Sequence, residues 1–171
     1  MLSAVTWSLA LAMGIVPRTI PLTAYDVLDS PLRHVRTESS TLRSYLRTGF
    51  EQSPTFASLL DRLERADVIV YVEDVPRLPG ALEGRLIMPP PAHGVRYLRI
   101  QVARRGSSAD TIALIGHELR HAVEVADAST VVDNQGLAAL YRRIGVDHGN
   151  NLFDTAEAQE VGRRVLKELI A

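Results

Sequence analysis

The stretch Ile112-Ala113-Leu114-Ile115-Gly116-His117-Glu118-Leu119-Arg120-His121-Ala122-Val123-Glu124 constrains this chain more than any other. It is strongly helical in character, and Ser107 or Ser108 ahead of it can cap the first free N–H groups. The pattern predicts a helix from about Asp110 to Ala126. Residues four apart on a helix lie one above the other, so His117 and His121 face the same way. Two imidazoles so placed can both reach one zinc ion at about 2.0–2.1 Å. Glu118 stands beside the first of them, where its carboxylate can take a proton from a water held on the metal. Gly116 gives the backbone room just before His117, at some cost in helix propensity.

Two histidines do not complete a catalytic zinc site, which normally has three protein ligands. The candidates for the third are carboxylates. Glu124 lies on the histidine face, but its reach along one helix axis is poor for a shared tetrahedral ion. Its better role is to accept the second ring N–H of a ligating imidazole and fix the tautomer.

A final helix starting near Asp154 offers Asp154, Glu157 and Glu160. Ala158, Val161, Val165 and Leu169 make its buried stripe, which Asp154 continues N-terminally. Glu157 sits at the edge of that stripe and Glu160 points away. Asp154 and Glu157 also have capping-box spacing, in which both would serve backbone N–H groups. An acidic group on an apolar stripe fits poorly unless a cation pairs with it. Asp154 is therefore the preferred third ligand and Glu157 the alternative.

The rest of the chain reads as α+β: two helices, a small sheet of about three strands, then three helices. Residues Thr19 to Val27 suit a first strand, and Asp29 to Arg36 a turn or loop. Helices are expected from Ser39 and, after Ser53-Pro54, across Phe56, Leu59, Leu60 and Leu63. Val68 to Val72 is β-branched and nearly continuous, as in a central strand buried on both faces. Arg85 to Met88 and the alternating run Tyr97 to Ala103 complete the sheet, the last two strands as a hairpin. A short helix is expected over Gln135 to Arg143.

The 171 residues suit one domain with a real core, and 46% hydrophobic with 23% charged residues is ordinary for a globular chain. Cysteine is absent, which excludes disulfides, thiolate zinc sites and a cysteine nucleophile. The net charge of −1 gives no reason to expect a nucleic-acid partner. Arg33, Arg36, Arg43 and Arg47 form a basic stretch, but no aromatics interleave to stack bases.

Met1 to Val16 is apolar and uncharged, shorter than the roughly 20 residues a membrane helix needs. Residues 1–24 are read as a signal peptide or an apolar N-terminal segment, and 25–171 as the functional domain. The first reading implies export to the periplasm or exterior, with no stable membrane insertion after processing. The second leaves a cytoplasmic protein.

His-Glu-Leu-Arg-His, with a carboxylate on a later helix, resembles the zincin metallopeptidases, particularly their small gluzincin-like members. The chain is also similar to small bacterial proteins carrying a His-Glu-Leu-x-His-Ala-x-Glu helix and a later aromatic-acidic-Thr segment, here His117 to Glu124 and Phe153-Asp154-Thr155. The resemblance implies a zincin-like fold and one Zn2+ ion on His117, His121 and a third carboxylate, with Glu118 as catalytic base. It further implies a peptide or protein substrate that pairs with the strand before the active-site helix, here Tyr97 to Ala103. Glutamate is the usual third ligand in gluzincins, so Asp154 is a departure whose shorter arm demands closer helix approach. Tyr141, His148 and Arg163 are candidates for stabilising an oxyanion. The other class of reading is a metal-binding or protein-interaction module that keeps the helix and lacks turnover.

Overall fold

Serine hydroxyls start three of the helices. Ser39 caps α1 (Ser40–Gln52), and Ser53 caps α2 (Pro54–Glu64), whose first residue is the proline expected there. Ser107 caps α3 (Ser108–Asp127), with Asp110 returning a hydrogen bond to close a capping box. Caps of this kind contribute about 1 kcal/mol each. Asp133 and Thr155 do the same for α4 (Asn134–Ile144) and α5 (Ala156–Leu169). These elements belong to a computed structural model that describes residues 34–80, 82–104, 106–147 and 153–171. The signal-peptide reading of residues 1–24 and the strand expected at Thr19 to Val27 fall outside the described residues.

The helices accompany a four-stranded mixed sheet in the order β1 (Val35–Arg36), β2 (Val68–Asp74), β4 (Arg96–Val102), β3 (Gly84–Ile87). The fold class is thus α+β, as expected. β1, β2 and β4 run parallel, and β3 runs antiparallel to β4 as the predicted hairpin. A separate two-stranded ribbon pairs β5 (Val146–Asp147) with β6 (Phe153–Asp154).

Four sequence expectations change. The sheet has four strands rather than about three, because Val35–Arg36 pairs with Val70 and Tyr71 where a loop was expected. β2 is central in the hydrogen-bond ladder but buried on one face only: Val68, Val70 and Val72 are buried, while Ile69, Tyr71 and Glu73 are partly exposed. Tyr97 to Ala103 is not open to an added strand, because β4 has β2 on one side and β3 on the other. β3 is the edge. Lastly, Asp154 lies in β6, ahead of the last helix, and the residue that caps α5 is Thr155.

The core lies between the sheet and the helices. Val70, Leu98 and Ile100 meet Phe56, Leu63, Ile115 and Leu119, all fully or nearly fully buried. Phe56 fits against two glycines: a Cβ on Gly49 would come within 2.8 Å of its ring, and one on Gly116 within 3.4 Å. α3 is further held at its C-terminal end by Arg96, the first residue of β4. The guanidinium is buried and donates to the carbonyls of Val125, Ala126, Ala128 and Val131 while pairing with Asp67. A cation on the last carbonyls of a helix satisfies acceptors and opposes the helix dipole. No helix among the described residues is long and apolar enough to cross a membrane.

Candidate metal centre

His117, Glu118 and His121 come from the middle of α3, where the helix crosses α5. The crossing is close because both helices carry glycine there. A Cβ on Gly116 would approach Val165 to 3.1 Å, and one on Gly162 would approach the His117 Cβ to 3.3 Å. Asp154 itself arrives on the β5–β6 ribbon. A Cβ on Gly145 would come within 3.1 Å of the Asp154 carbonyl oxygen and 2.8 Å of that of Tyr141, so glycine keeps the ribbon tight against α4.

These elements bring His117, His121 and Asp154 together, with one ligand atom of each inside a 4.8 Å span. Asp154 Oδ1 lies 3.4 Å from His117 Nε2 and 3.3 Å from His121 Nε2. Those separations exceed the ~2.7–2.9 Å of a charge-assisted hydrogen bond. They match the edge of a tetrahedron whose centre is about 2.0–2.1 Å from each corner, roughly 3.3–3.4 Å. Two imidazole nitrogens and one carboxylate oxygen are also a donor set that suits zinc. By donor type, and by the two distances to Asp154, the residues present fit the ion.

Glu124 is bonded to one of the rings. Its Oε2 accepts from His121 Nδ1 at 2.8 Å, which leaves Nε2 as the nitrogen turned to the site. Its Oε1 accepts from the Thr155 hydroxyl at 2.8 Å. Glu157, the alternative ligand, is 69% exposed and paired with Arg120, so it does not join the cluster. Glu160 faces outward to Arg163 and Arg164.

Glu118 is 4% exposed and borders the same cleft. Among the described residues it has no hydrogen-bond or ion-pair partner. Burial pushes its pKa up to about 7, aided by the charge of Asp154 and opposed by that of His121. Burial alone would lower the pKa of His121, but hydrogen bonds to Asp154 and Glu124 raise it to about 9. Burial and the neighbouring His121 charge hold His117 below the usual histidine value. Burial works against ionisation of Asp154, yet contacts with His121, Gln159 and His117 hold its carboxyl well below the usual range.

The cleft encloses about 440 Å³ and is bordered by β3, α3, α4 and β6. Tyr141 lines it, edge-on to the His121 ring, and its hydroxyl donates to the His121 carbonyl at 3.2 Å. Burial and the charges of Glu124 and Glu118 raise its pKa. Arg163 is on the surface, bonded to the Gln159 carbonyl, and does not reach the site. His148 lies outside the described residues.

Sequence reasoning missed Gly84. A Cβ there would fall 2.5 Å from Glu118 Oε1 and 2.9 Å from Leu114 Cδ1, so any side chain at this point of β3 would displace the ends of those two side chains. A glycine starting a strand carries no such signal by itself. Comparison with family models, with curated proteins and with solved structures returned no match.

Proposed function

We propose that this protein is a zinc-dependent hydrolase of zincin type, with peptide bonds as its substrate. One observation carries the reading: the Asp154 oxygen lies at tetrahedral-edge distances from an imidazole nitrogen of each histidine, beside the buried carboxylate of Glu118. A zinc ion held by His117, His121 and Asp154 would supply a Lewis acid for a carbonyl oxygen and lower the pKa of water to about 7.

The remaining work belongs to the protein. Glu118, poised near neutrality by its burial, accepts a proton at its carboxylate as general base and returns it to the leaving amine. Glu124 keeps the His121 ring in one tautomer and one orientation. β3, an edge strand bordering the cleft, turns one side of its backbone away from β4, and an extended peptide can pair with the N–H and C=O groups there. Leu82, Leu86, Leu137 and Phe153 give such a peptide apolar surface to lie on. This arrangement favours a chain-like substrate over a compact one.

The test joins metal analysis to one substitution. Wild-type protein is expected to hold one zinc ion per chain and to cleave casein, with loss on chelation and recovery on adding zinc. Glu118→Gln should keep the metal and lose at least ~100-fold in rate. Equal, chelator-insensitive behaviour of the two proteins would defeat the peptidase reading. Zinc held firmly without Glu118-dependent turnover would leave a metal-binding or interaction module, and failure to take up zinc would remove the site.

A further inference from the structure

The hydrogen bonds around the candidate site close into a ring. His121 Nδ1 donates to Glu124 Oε2 at 2.8 Å, and the Thr155 hydroxyl donates to Glu124 Oε1 at 2.8 Å. Thr155 N donates to Asp154 Oδ1 at 2.7 Å, and that same oxygen faces His121 Nε2 at 3.3 Å. Thr155 and Glu124 are 5% and 8% exposed, so little water competes for these bonds. The Thr155 hydroxyl also accepts from Ala158 N at 3.1 Å as the cap of α5, which commits its proton to Glu124.

Asp154 has no covalent reason to meet the imidazoles. It reaches α3 from another element, and a ligand set tolerates errors of only a few tenths of an ångström. A surface ion pair, Arg120 with Glu157, ties α3 to α5, but it is exposed and contributes little. The Thr155–Glu124 bond is a buried tie from α3 to the residue next to Asp154. We propose that Thr155 is a positioning residue: by donating to Glu124 it sets the Asp154 carboxylate against His117 and His121, and so fixes metal affinity. The proposal rests on the zinc reading above.

A residue that only capped α5 would affect stability and leave metal binding alone, so the two roles separate by substitution. Thr155→Ser keeps the donor and the cap. Thr155→Asp keeps the cap and loses the donor, and Thr155→Val loses both. Zinc affinity is read by competition with a chromogenic chelator, on protein shown to be folded by circular dichroism well below its melting temperature. The visible absorption of the Co2+-loaded protein reports the ligand geometry. Thr155→Ser is expected to bind zinc like wild type. Thr155→Asp and Thr155→Val should bind about tenfold more weakly or worse, with altered Co2+ bands. Wild-type affinity and bands in Thr155→Asp would overturn the proposal and reduce Thr155 to a cap, even if Thr155→Val fails to fold. Weakening in Thr155→Ser as severe as in Thr155→Asp would overturn it too, since the hydroxyl would not be what matters. If wild-type protein takes up no zinc, this inference and the proposed function fail together. If it binds zinc and Thr155→Asp does so equally well, only this inference fails.

Discussion

The two faces of the sheet treat polar groups in opposite ways. On the open face, Arg99 pairs with Glu73 at 2.9 Å, Arg85 with Gln101 at 2.8 Å, and the Arg36 guanidinium lies over the Tyr71 ring. These partners stand opposite or diagonal to one another in the ladder, as β-sheet register dictates. Part of this face opens into the larger hollow, about 720 Å³, lined by residues including Tyr71, Tyr97 and Arg99. No histidine lines it among the described residues, and its Glu73, Asp74 and Arg99 sit in partly exposed ion pairs. On the covered face, polar groups come from α3, α4 and β6, lie far apart in sequence, and converge on one cleft. Size does not mark the candidate site. Buried, convergent and incompletely paired chemistry does.

The contrast is sharpest where the covered face holds a buried charge. Replacing Arg96 by Met should destabilise the protein by about 3 kcal/mol or more, because buried carbonyls at the end of α3 lose a charged donor. Urea titration followed by circular dichroism measures this, and a loss below 1 kcal/mol would contradict the role given to Arg96. Next comes the pair of carboxylates once open as ligands. Asp154→Ala should weaken zinc binding by more than ~100-fold, and Glu157→Ala by less than about twofold. Comparable losses in both would erase the distinction drawn here between the buried and exposed acids.

Gly84→Ala tests the seam between sheet and site. The added methyl would displace the Glu118 carboxylate, so kcat should fall by about 10- to 100-fold while zinc stoichiometry holds. A variant with wild-type turnover would show that the carboxylate has room to spare. A smaller effect is expected at Glu168, whose carboxylate accepts from Ser53 Oγ at 2.5 Å, Thr55 Oγ1 at 2.7 Å and Thr55 N at 3.1 Å. Burial opposes ionisation there, but these bonds outweigh it and lower the pKa in the folded state. Its contribution is therefore fully present above the unfolded value of about 4.3 and disappears as pH falls through the lower folded value. Glu168→Gln should cost under ~1 kcal/mol near pH 7 after allowance for solvent screening, with the gap to wild type closing under acid. A gap that widened under acid would reverse the sign. Smallest of all, Arg99→Ala on the open face should change stability by less than ~0.5 kcal/mol and leave zinc binding untouched.

How far the chain was legible follows from what each signal needs. Helices α1, α2 and α3 begin at the serines that mark them, because a cap is a local bond spanning three residues. β1 was invisible, since two residues cannot display a period and only pairing with β2 makes them a strand. β2 was read as buried on both faces because isoleucine and tyrosine between valines resemble a continuous apolar run. The structure leaves Ile69 and Tyr71 partly exposed on the face opposite the packed core. Asp154 and Glu157 share capping-box spacing, yet the cap lies between them, at Thr155. That one-residue difference puts Asp154 in a strand and Glu157 on the surface.

The amino-acid order alone determined that His117 and His121 share a face, that Glu118 stands beside them, and that Glu124 can serve one of the rings. All of that follows from 3.6 residues per turn within a single helix. Only the tertiary structure decided which carboxylate comes to meet them, that β3 rather than β4 is an edge of the sheet, and that Gly84 lies against the Glu118 carboxylate. Those facts depend on distances between elements separated by tens of residues, and such distances are set by packing rather than by local spacing.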